Sequence, residues 1–173
     1  MNAPDALYHG STRSVEGEMT PVLRHGSEDH VHERAAVFAT ERRDIAALFM
    51  VPPDALSSIG FEHDIAYICI WGTPEEFAPR DHGGWVYSLP GASFEKVGKS
   101  YEWQSFSPVR PLASERFDSA LDGMIACGAQ VYFIDEDPVF DRIVADKNDR
   151  ASVLRDRTSE NSRQGRNVRP FPA

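Results

Sequence analysis

The sequence is poor in cysteine and has no long apolar run. Its two cysteines, Cys69 and Cys127, form no CxxC or Cys/His spacing, which argues against a disulfide framework and a zinc site. We expect both thiols to be reduced and buried. No stretch approaches the roughly 18 to 20 apolar residues that span a bilayer, and the N-terminus lacks a charged region followed by an apolar one. We therefore expect a soluble, cytoplasmic protein without a membrane partner.

Basic residues are also scarce over most of the chain. Before residue 146 there are 11 Lys and Arg against 23 Asp and Glu, whereas residues 146–173 hold seven bases and four acids. An acidic body repels phosphate backbones, which argues against duplex nucleic acid as a partner. The length predicts one domain over residues 1–157, and the basic residues 158–173 are expected to form a flexible tail.

No internal repeat, P-loop or GxGxxG motif is present, so the element order carries the fold prediction. Apolar periodicity predicts helices over 41–49 and 117–128 and around 139–144, with Thr40 as the N-cap of the first, and a short capped helix after Thr73. Gly10 and Ser11 are predicted to lie in a turn. Strands are predicted over 6–9, 35–39, 65–71, 85–89, 101–109 and 130–134. This order favours an α+β fold with a compact, mostly antiparallel split β-sheet core and short helices.

Three short motifs occur in a definite order along the chain. They are "LYHGS" at Leu7 to Ser11, "AVFATERRDIAALFM" from Ala36 to Met50, and "YEWQS" from Tyr101 to Ser105. Over roughly residues 6–112 this succession resembles the ADP-ribosyltransferase fold, in its diphtheria-toxin-like branch, which includes poly(ADP-ribose) polymerases and rifamycin ADP-ribosyltransferases. The family pattern is His-Gly-Ser/Thr on a first strand, an aromatic strand before a helix, and an acid at the start of a later strand.

The resemblance implies that NAD is the substrate and that nicotinamide is released when ADP-ribose passes to an acceptor, which the sequence leaves unknown. It assigns catalytic roles to Glu102 and His9, with His9 also holding a ribose of NAD. The remaining implied NAD-binding residues are Gly10, Ser11, Tyr8, Phe38, Thr40 and Phe49. The family's stacking tyrosine falls at Val37, so the resemblance passes the stacking role to Phe38, Phe49 or Tyr8.

The residue types suit that chemistry. Breaking the nicotinamide–ribose bond develops positive charge on the ribose, and a carboxylate such as Glu102 stabilises it. An imidazole can hold a ribose hydroxyl, and a glycine lets an amide ligand approach the backbone. The alternative for His9 is a structural histidine at a strand end, and the alternative for Glu102 is an ordinary exposed strand acid.

Other interpretations remain open at this point. Gln130 offers a second alignment for the family's acid, which predicts an inactive domain. His25, His30 and His32 give a weak metal-site candidate, and Asp135 to Asp137 form an acidic run typical of a solvated turn. A non-catalytic relative that acts as an interaction module, with its basic tail on an acidic partner, is a second hypothesis. An unrelated α+β protein is a third.

Overall fold

The computed structural model describes residues 4–23, 34–62, 64–145 and Leu154. Within these residues nine strands and four α-helices follow one another along the chain, with single 3-10 turns at Leu48–Met50, Ala78–Arg80 and Gly91–Ser93. In order they are β1 (Ala6–Ser11), β2 (Val37–Thr40), α1 (Arg43–Ala47), β3 (Ser57–Glu62), β4 (Ile65–Trp71), α2 (Pro74–Phe77), β5 (Gly84–Pro90), β6 (Glu95–Lys96), β7 (Glu102–Ser105), β8 (Ala113–Phe117), α3 (Ala120–Ala126), β9 (Gln130–Ile134) and α4 (Asp137–Ala145).

The strands assemble into two open sheets. The larger has the order β6-β7-β2-β1-β5-β8, and every pairing in it is antiparallel. The smaller has the order β3-β4-β9, in which β3 runs antiparallel and β9 parallel to β4. The α+β class, the mostly antiparallel pairing and the short helices are therefore confirmed.

Three groups of buried residues hold these layers together. One lies between the two sheets and includes Ile45 of α1, Ile68 of β4 and Met124 of α3. A second covers the other face of the larger sheet, where Leu7 and Trp103 pack. The third joins the smaller sheet to α4. The smaller sheet is thus covered on both faces, which explains the continuous apolar run of its central strand β4.

Several sequence predictions are confirmed at the element level. β4 and β9 have the predicted bounds, and α2 begins with the predicted capping box, in which the Thr73 hydroxyl accepts from the Glu76 backbone N–H and Glu76 accepts from that of Thr73. This reciprocal arrangement satisfies two N–H groups that the first helical turn would otherwise leave unpaired. Pro79 falls in the 3-10 turn that follows, so the helix is as short as expected.

The predicted turn at Gly10 and Ser11 is wrong, and so is the predicted N-cap at Thr40. Gly10 and Ser11 continue β1, because they pair with Val86 and Trp85 of β5. Thr40 ends β2, and its hydroxyl accepts from the backbone N–H of Arg42, the residue before α1. Tertiary strand pairing therefore overrides the local turn and capping propensities at both positions.

Some strand and helix bounds also differ from the predictions. Strands β3, β6 and β8 were not predicted, and Phe117 belongs to β8 rather than to the start of α3. The strand predicted over 101–109 is confined to β7. β8 is an edge strand with the sequence ASERF and exposed side chains, so it lacks the apolar alternation that identifies a half-buried strand.

Both cysteines are free thiols, as expected, but only Cys69 is fully buried. Cys127 is partly exposed at the end of α3, and burial raises the pKa of its thiol more than the nearby Arg43 lowers it. A raised pKa disfavours the reactive thiolate. None of the described helices is long and apolar enough to cross a membrane. His25, His30, His32 and residues 158–173 lie outside the described residues.

Candidate functional site

A cleft of about 410 Å³ opens on the face of the larger sheet that carries α1. It has the volume of a typical small-ligand pocket. The residues of the three sequence motifs meet here: Tyr8, His9, Gly10, Phe38, Thr40, Phe49 and Glu102 all line it. Ser11 is not among the described lining residues, and its hydroxyl instead bonds the backbone of Arg13.

Strand order explains how motifs distant in sequence come together. β2 lies between β1 and β7, and Thr40 is directly opposite both Tyr8 on β1 and Glu102 on β7. Opposed residues of an antiparallel pair project to the same face, with Cα atoms about 4.5 to 5.5 Å apart. The Tyr8, Thr40 and Glu102 positions therefore form one row across the sheet, about 10 Å from end to end.

His9 joins β1 to β2 through its side chain. The two strands share one register pair, Tyr8 with Thr40, and the imidazole Nδ1 lies 2.7 Å from the carbonyl oxygen of Phe38. A carbonyl oxygen only accepts, so Nδ1 carries a proton and donates this hydrogen bond. In the neutral imidazole the other nitrogen, Nε2, is then a hydrogen-bond acceptor. The imidazole thus lies next to the Phe38 carbonyl, and its centroid is 6.5 Å from that of the buried Tyr87 ring.

Gly10 lets α1 pack directly on β1. A Cβ atom built at this position would lie 1.8 Å from the carbonyl oxygen of Ala46 and 3.3 Å from Cβ of Phe49. No side chain fits there without displacing the helix backbone. The glycine of "LYHGS" is therefore required for the approach of α1, which carries Ile45, Ala46 and the following Phe49 to the cleft wall.

Five aromatic residues belong to the described lining of the cleft, namely Tyr8, Phe38, Phe49, Phe61 and Tyr101. Phe49, Phe61 and Tyr101 are 38%, 40% and 41% exposed, which is unusual for such large rings and places them at the rim. Phe61 of β3 and Tyr101 of the loop before β7 contact one another, with ring centroids 5.9 Å apart. The aromatic lining thus comes from both sheets, from the 3-10 turn after α1 and from the loop before β7.

The position expected to carry the family's tyrosine does not face the cleft. Val37 is 4% exposed and packs in the core on the opposite face of the larger sheet, with Leu7 and Trp103. Its neighbour Phe38 alternates to the cleft face and lines the cleft. Phe38 therefore places an aromatic ring in the cleft, one residue after the position where the family's tyrosine falls.

Two lining aromatics were not identified from the sequence. Phe61 lies on β3, whose sequence SSIGFE has too few apolar residues to predict a strand. In a strand that began at Tyr101, this side chain would share a face with Trp103, opposite to Glu102. β7 begins at Glu102 instead, so strand alternation does not extend to Tyr101, which lines the same cleft as Glu102. Glu102 and Trp103 themselves alternate, because Trp103 is buried on the other face.

A polar network anchors β7 next to Glu102. One carboxylate oxygen of Glu41 accepts from the indole N–H of Trp103 and from the Lys96 ammonium, both at 2.7 Å. These two hydrogen bonds lower the pKa of Glu41, and the bond from Lys96 has the larger effect. Burial raises the pKa, but by less. Glu41 follows Thr40 and Trp103 follows Glu102, so the network fixes the two strand ends that present the Thr40 and Glu102 pair.

Arg42 ties the two sheets together at the rim. Its guanidinium donates to the Asp44 carboxylate, with distances of 3.1 and 2.5 Å, and to the backbone carbonyl of Asp64. It also lies 3.7 Å from the Asp64 carboxylate and 5.4 Å from the centroid of the Tyr101 ring. The Asp44 hydrogen bond is the main reason that the pKa of Arg42 is raised. This cluster links the β3–β4 turn to α1 and to the loop before β7.

Few charged side chains belong to the described part of the cleft wall. Among the described lining residues Glu102 is the one carboxylate, and no lysine or arginine is present. Next to the cleft, Arg42 faces two carboxylates, so its cluster with Asp44 and Asp64 has a formal charge of −1. The described wall therefore combines a carboxylate with aromatic rings.

Gln130, the alternative position for the family's acid, lies elsewhere. It is buried in the smaller sheet, where its carbonyl accepts from the Tyr132 hydroxyl, and it is not among the described residues of the cleft wall. Its amide nitrogen has no hydrogen-bond partner within the part of the chain that the structure describes. Within the described ranges, no group of three or more His, Cys, Asp or Glu side chains is arranged to hold a metal ion.

No protein-family model, curated protein or solved structure matches this chain. A functional assignment therefore depends on the cleft's own residues. They combine a carboxylate, an oriented imidazole, a glycine under close backbone approach and five aromatic rings.

Proposed function

We propose that the protein is an NAD-dependent ADP-ribosyltransferase with an ADP-ribosyltransferase-like fold, and that the cleft binds the nicotinamide and adjoining ribose of NAD. One observation carries this proposal: His9, Phe38 and Glu102, assigned to a common site from three separate motifs, line one cleft. The neighbouring positions of β7, β2 and β1 in the larger sheet bring the three motifs together.

The aromatic residues suit the nicotinamide ring. Phe38 and Phe49 offer rings of a size to stack on a planar heterocycle, from the strand side and the helix side of the cleft. Gly10 contributes indirectly, because its missing side chain allows α1 and the following Phe49 to reach the cleft wall. The aromatic residues therefore favour a flat ring as the ligand.

The polar residues suit the ribose. His9 lines the cleft, and an imidazole is a group that can hold a ribose hydroxyl by a hydrogen bond. The Glu102 carboxylate can accept from a second hydroxyl and stabilise positive charge that develops on the sugar. The role of His9 is to orient the sugar, and that of Glu102 is to stabilise the charge.

The reaction requires no redox partner. The bond between ribose C1′ and the nicotinamide nitrogen breaks, and its electron pair stays on that nitrogen, which neutralises the pyridinium. An acceptor hydroxyl, amine or water then forms a bond to C1′ and loses its proton to the solvent or to a nearby base. Glu102 is the carboxylate in the cleft wall that can assist both steps.

The proposal is tested by measuring nicotinamide release from NAD, with water as the default acceptor, for the wild type and for Glu102→Gln. We expect release by the wild type and a rate at least about 100-fold lower for the variant, which keeps the shape but loses the charge. Glu95→Gln is the matched control, because Glu95 is an exposed acid of the adjacent strand β6 and does not line the cleft.

Two outcomes would remove the enzymatic proposal: equal rates for the two proteins, or no release at millimolar NAD. Calorimetry with NAD then distinguishes the two remaining possibilities, a protein that binds NAD and one that does not. Binding of NAD without turnover would favour a non-catalytic relative that acts as an interaction module. The absence of both would leave His9 and Glu102 with structural roles.

A further inference from the structure

We infer that the Thr40 hydroxyl is a hydrogen-bond donor to the ligand of the cleft, and that it selects for a flat ring with a carbonyl oxygen on a substituent. The inference rests on the proposed function in one respect, because it takes the ring to be a substituted pyridine. It deepens that function, since it names the ligand group that is recognised and the side chain that recognises it.

Thr40 lies in the middle of the row of residues that crosses the cleft. It lines the cleft and is directly opposite both Tyr8 on β1 and Glu102 on β7. It shares its face of β2 with Phe38, because side chains two residues apart in a strand project to the same side. Two residues span about 7 Å of strand, so a ring that stacks on Phe38 brings its substituent within reach of the Thr40 hydroxyl.

The Thr40 hydroxyl uses its oxygen for the fold, and its proton is left over. The oxygen accepts from the backbone N–H of Arg42 at 3.2 Å, and the residue is only 5% exposed. A hydroxyl also has one proton to donate, and among the described residues no acceptor receives the proton of Thr40. Buried donors in native proteins nearly always have a partner, which can be a protein atom, a water molecule or a ligand.

Ser105, at the other end of β7, shows how a buried hydroxyl is satisfied when no ligand is involved. Its oxygen accepts from the backbone N–H of Ser107, just as Thr40 accepts from the residue two positions ahead. Its proton has acceptors within the protein, the Ser93 hydroxyl and the Ser107 carbonyl, both at 3.1 Å. Ser105 is not among the described lining residues, whereas Thr40 is. The two hydroxyls therefore differ in the partner of the proton and in their access to the cleft.

A donor in this position favours a ligand with an acceptor atom. The aromatic wall favours a flat ring, and a carbonyl oxygen on such a ring is an uncharged acceptor. A substituent without an acceptor would leave the Thr40 proton unpaired, and a site built around a polar group rejects an analogue that lacks the matching group. In NAD, the carboxamide of the nicotinamide ring supplies a carbonyl oxygen.

The test compares the affinities of 3-acetylpyridine and 3-ethylpyridine by calorimetry, in a slightly alkaline buffer that keeps both rings neutral. The two probes share the ring and the carbon skeleton, and they differ in one carbonyl oxygen that two hydrogen atoms replace. We expect the wild type to bind the acetyl probe about tenfold more tightly. Equal affinities, tighter binding of 3-ethylpyridine, or no binding of either probe would overturn the inference.

Variants assign the preference to Thr40. Thr40→Val keeps the shape and removes the donor, so it should reduce the ratio of acetyl to ethyl affinity at least about fivefold, whereas Thr40→Ser should keep the ratio within about twofold. Thr73→Val is the matched control and should leave the ratio unchanged, because Thr73 also accepts a backbone N–H, that of Glu76, but is not among the described lining residues. If Thr40→Val fails to fold, Thr40→Ala replaces it.

The ratio distinguishes ligand recognition from a purely structural role. If Thr40 only supported the start of α1, its loss would weaken both probes equally, and an unchanged ratio in the folded variant would overturn the assignment. The result is also separate from the proposed function. A preference for the acetyl probe that depends on Thr40, without nicotinamide release from NAD, would keep this inference and remove the transferase. Nicotinamide release with equal affinities for the two probes would keep the transferase and remove the role of Thr40.

Discussion

At the residue scale, the clearest requirement is the missing side chain at Gly10. The glycine permits α1 to approach β1 so closely that an added Cβ would overlap the Ala46 carbonyl oxygen at 1.8 Å. Because that oxygen belongs to the helix backbone, relief requires moving the whole of α1. The same helix supplies part of the cleft wall, so a side chain at position 10 would disturb both the stability of the fold and the shape of the cleft.

We expect Gly10→Ala to lower the free energy of unfolding by about 3 kcal/mol, since overpacking against a backbone atom cannot be relieved by a rotamer change. Urea denaturation monitored by circular dichroism measures this loss. Ser11→Ala is the control on the same strand. It removes only the bonds to Arg13 and should cost about 1 kcal/mol or less. A cost for Gly10→Ala within error of that for Ser11→Ala would contradict the packing described for α1.

The resemblance assigned His9, Phe38 and Glu102 from short local motifs, and all three line one cleft. The motifs did not indicate that Phe61 and Tyr101 would line it as well. Phe61 reaches the cleft from the second sheet, and Tyr101 lies just before β7, where the alternation of side chains has not yet begun. Whether such residues line the cleft depends on how the two sheets pack, and no pattern in the neighbouring sequence indicates it.

At the element scale, the start of α3 is held by one carboxylate. Asp81 accepts from the Ser119 hydroxyl and from the backbone N–H groups of Ala120 and Leu121, and also from that of Gly83. Burial raises the pKa of Asp81, but these hydrogen bonds together outweigh it and lower the pKa below its ordinary value of 3.8. Asp81 thus satisfies N–H groups that the first turn of α3 cannot pair internally.

A lowered pKa in the folded state means that Asp81 contributes stability above the pKa of the unfolded chain, and that this contribution is lost as the pH falls through the lowered folded value. We expect Asp81→Asn to reduce the free energy of unfolding by about 1 to 2 kcal/mol at pH 7. The difference from wild type should shrink below about pH 4.

Urea denaturation over a pH series provides the measurement. Asp122→Asn, an exposed acid in the first turn of the same helix, is the control and should cost about 0.5 kcal/mol or less. A loss for Asp81→Asn that stays constant from pH 7 to pH 3 would show that the charge of Asp81 is not what stabilises α3.

Element prediction succeeded where burial on both faces or capping gave a strong signal, as for β4, β9 and α2. It failed where tertiary pairing decided the outcome. β8 reads as a polar segment, and it is a strand because β5 offers it an edge. Gly10 and Ser11 read as a turn, and they are strand residues because β5 also pairs with them.

At the scale of the whole molecule, the cleft is a product of two sheets and the helix between them. The larger sheet aligns the three motifs, the 3-10 turn after α1 supplies Phe49, and the smaller sheet supplies Phe61. Arg42 and the contact of Phe61 with Tyr101 join these parts at the rim. The sequence predicted an α+β protein with mostly antiparallel strands, but the pairing of β9 parallel to β4 is set only by the complete packing.

The central claim is that one cleft holds the nicotinamide and ribose of NAD between His9, Phe38 and Glu102. A crystal structure of the protein soaked with NAD tests it most directly. We expect the nicotinamide ring within stacking distance of Phe38 or Phe49, and a ribose hydroxyl within hydrogen-bond distance of Glu102. Nicotinamide density at any other surface, or an empty cleft in crystals saturated with millimolar NAD, would contradict the account.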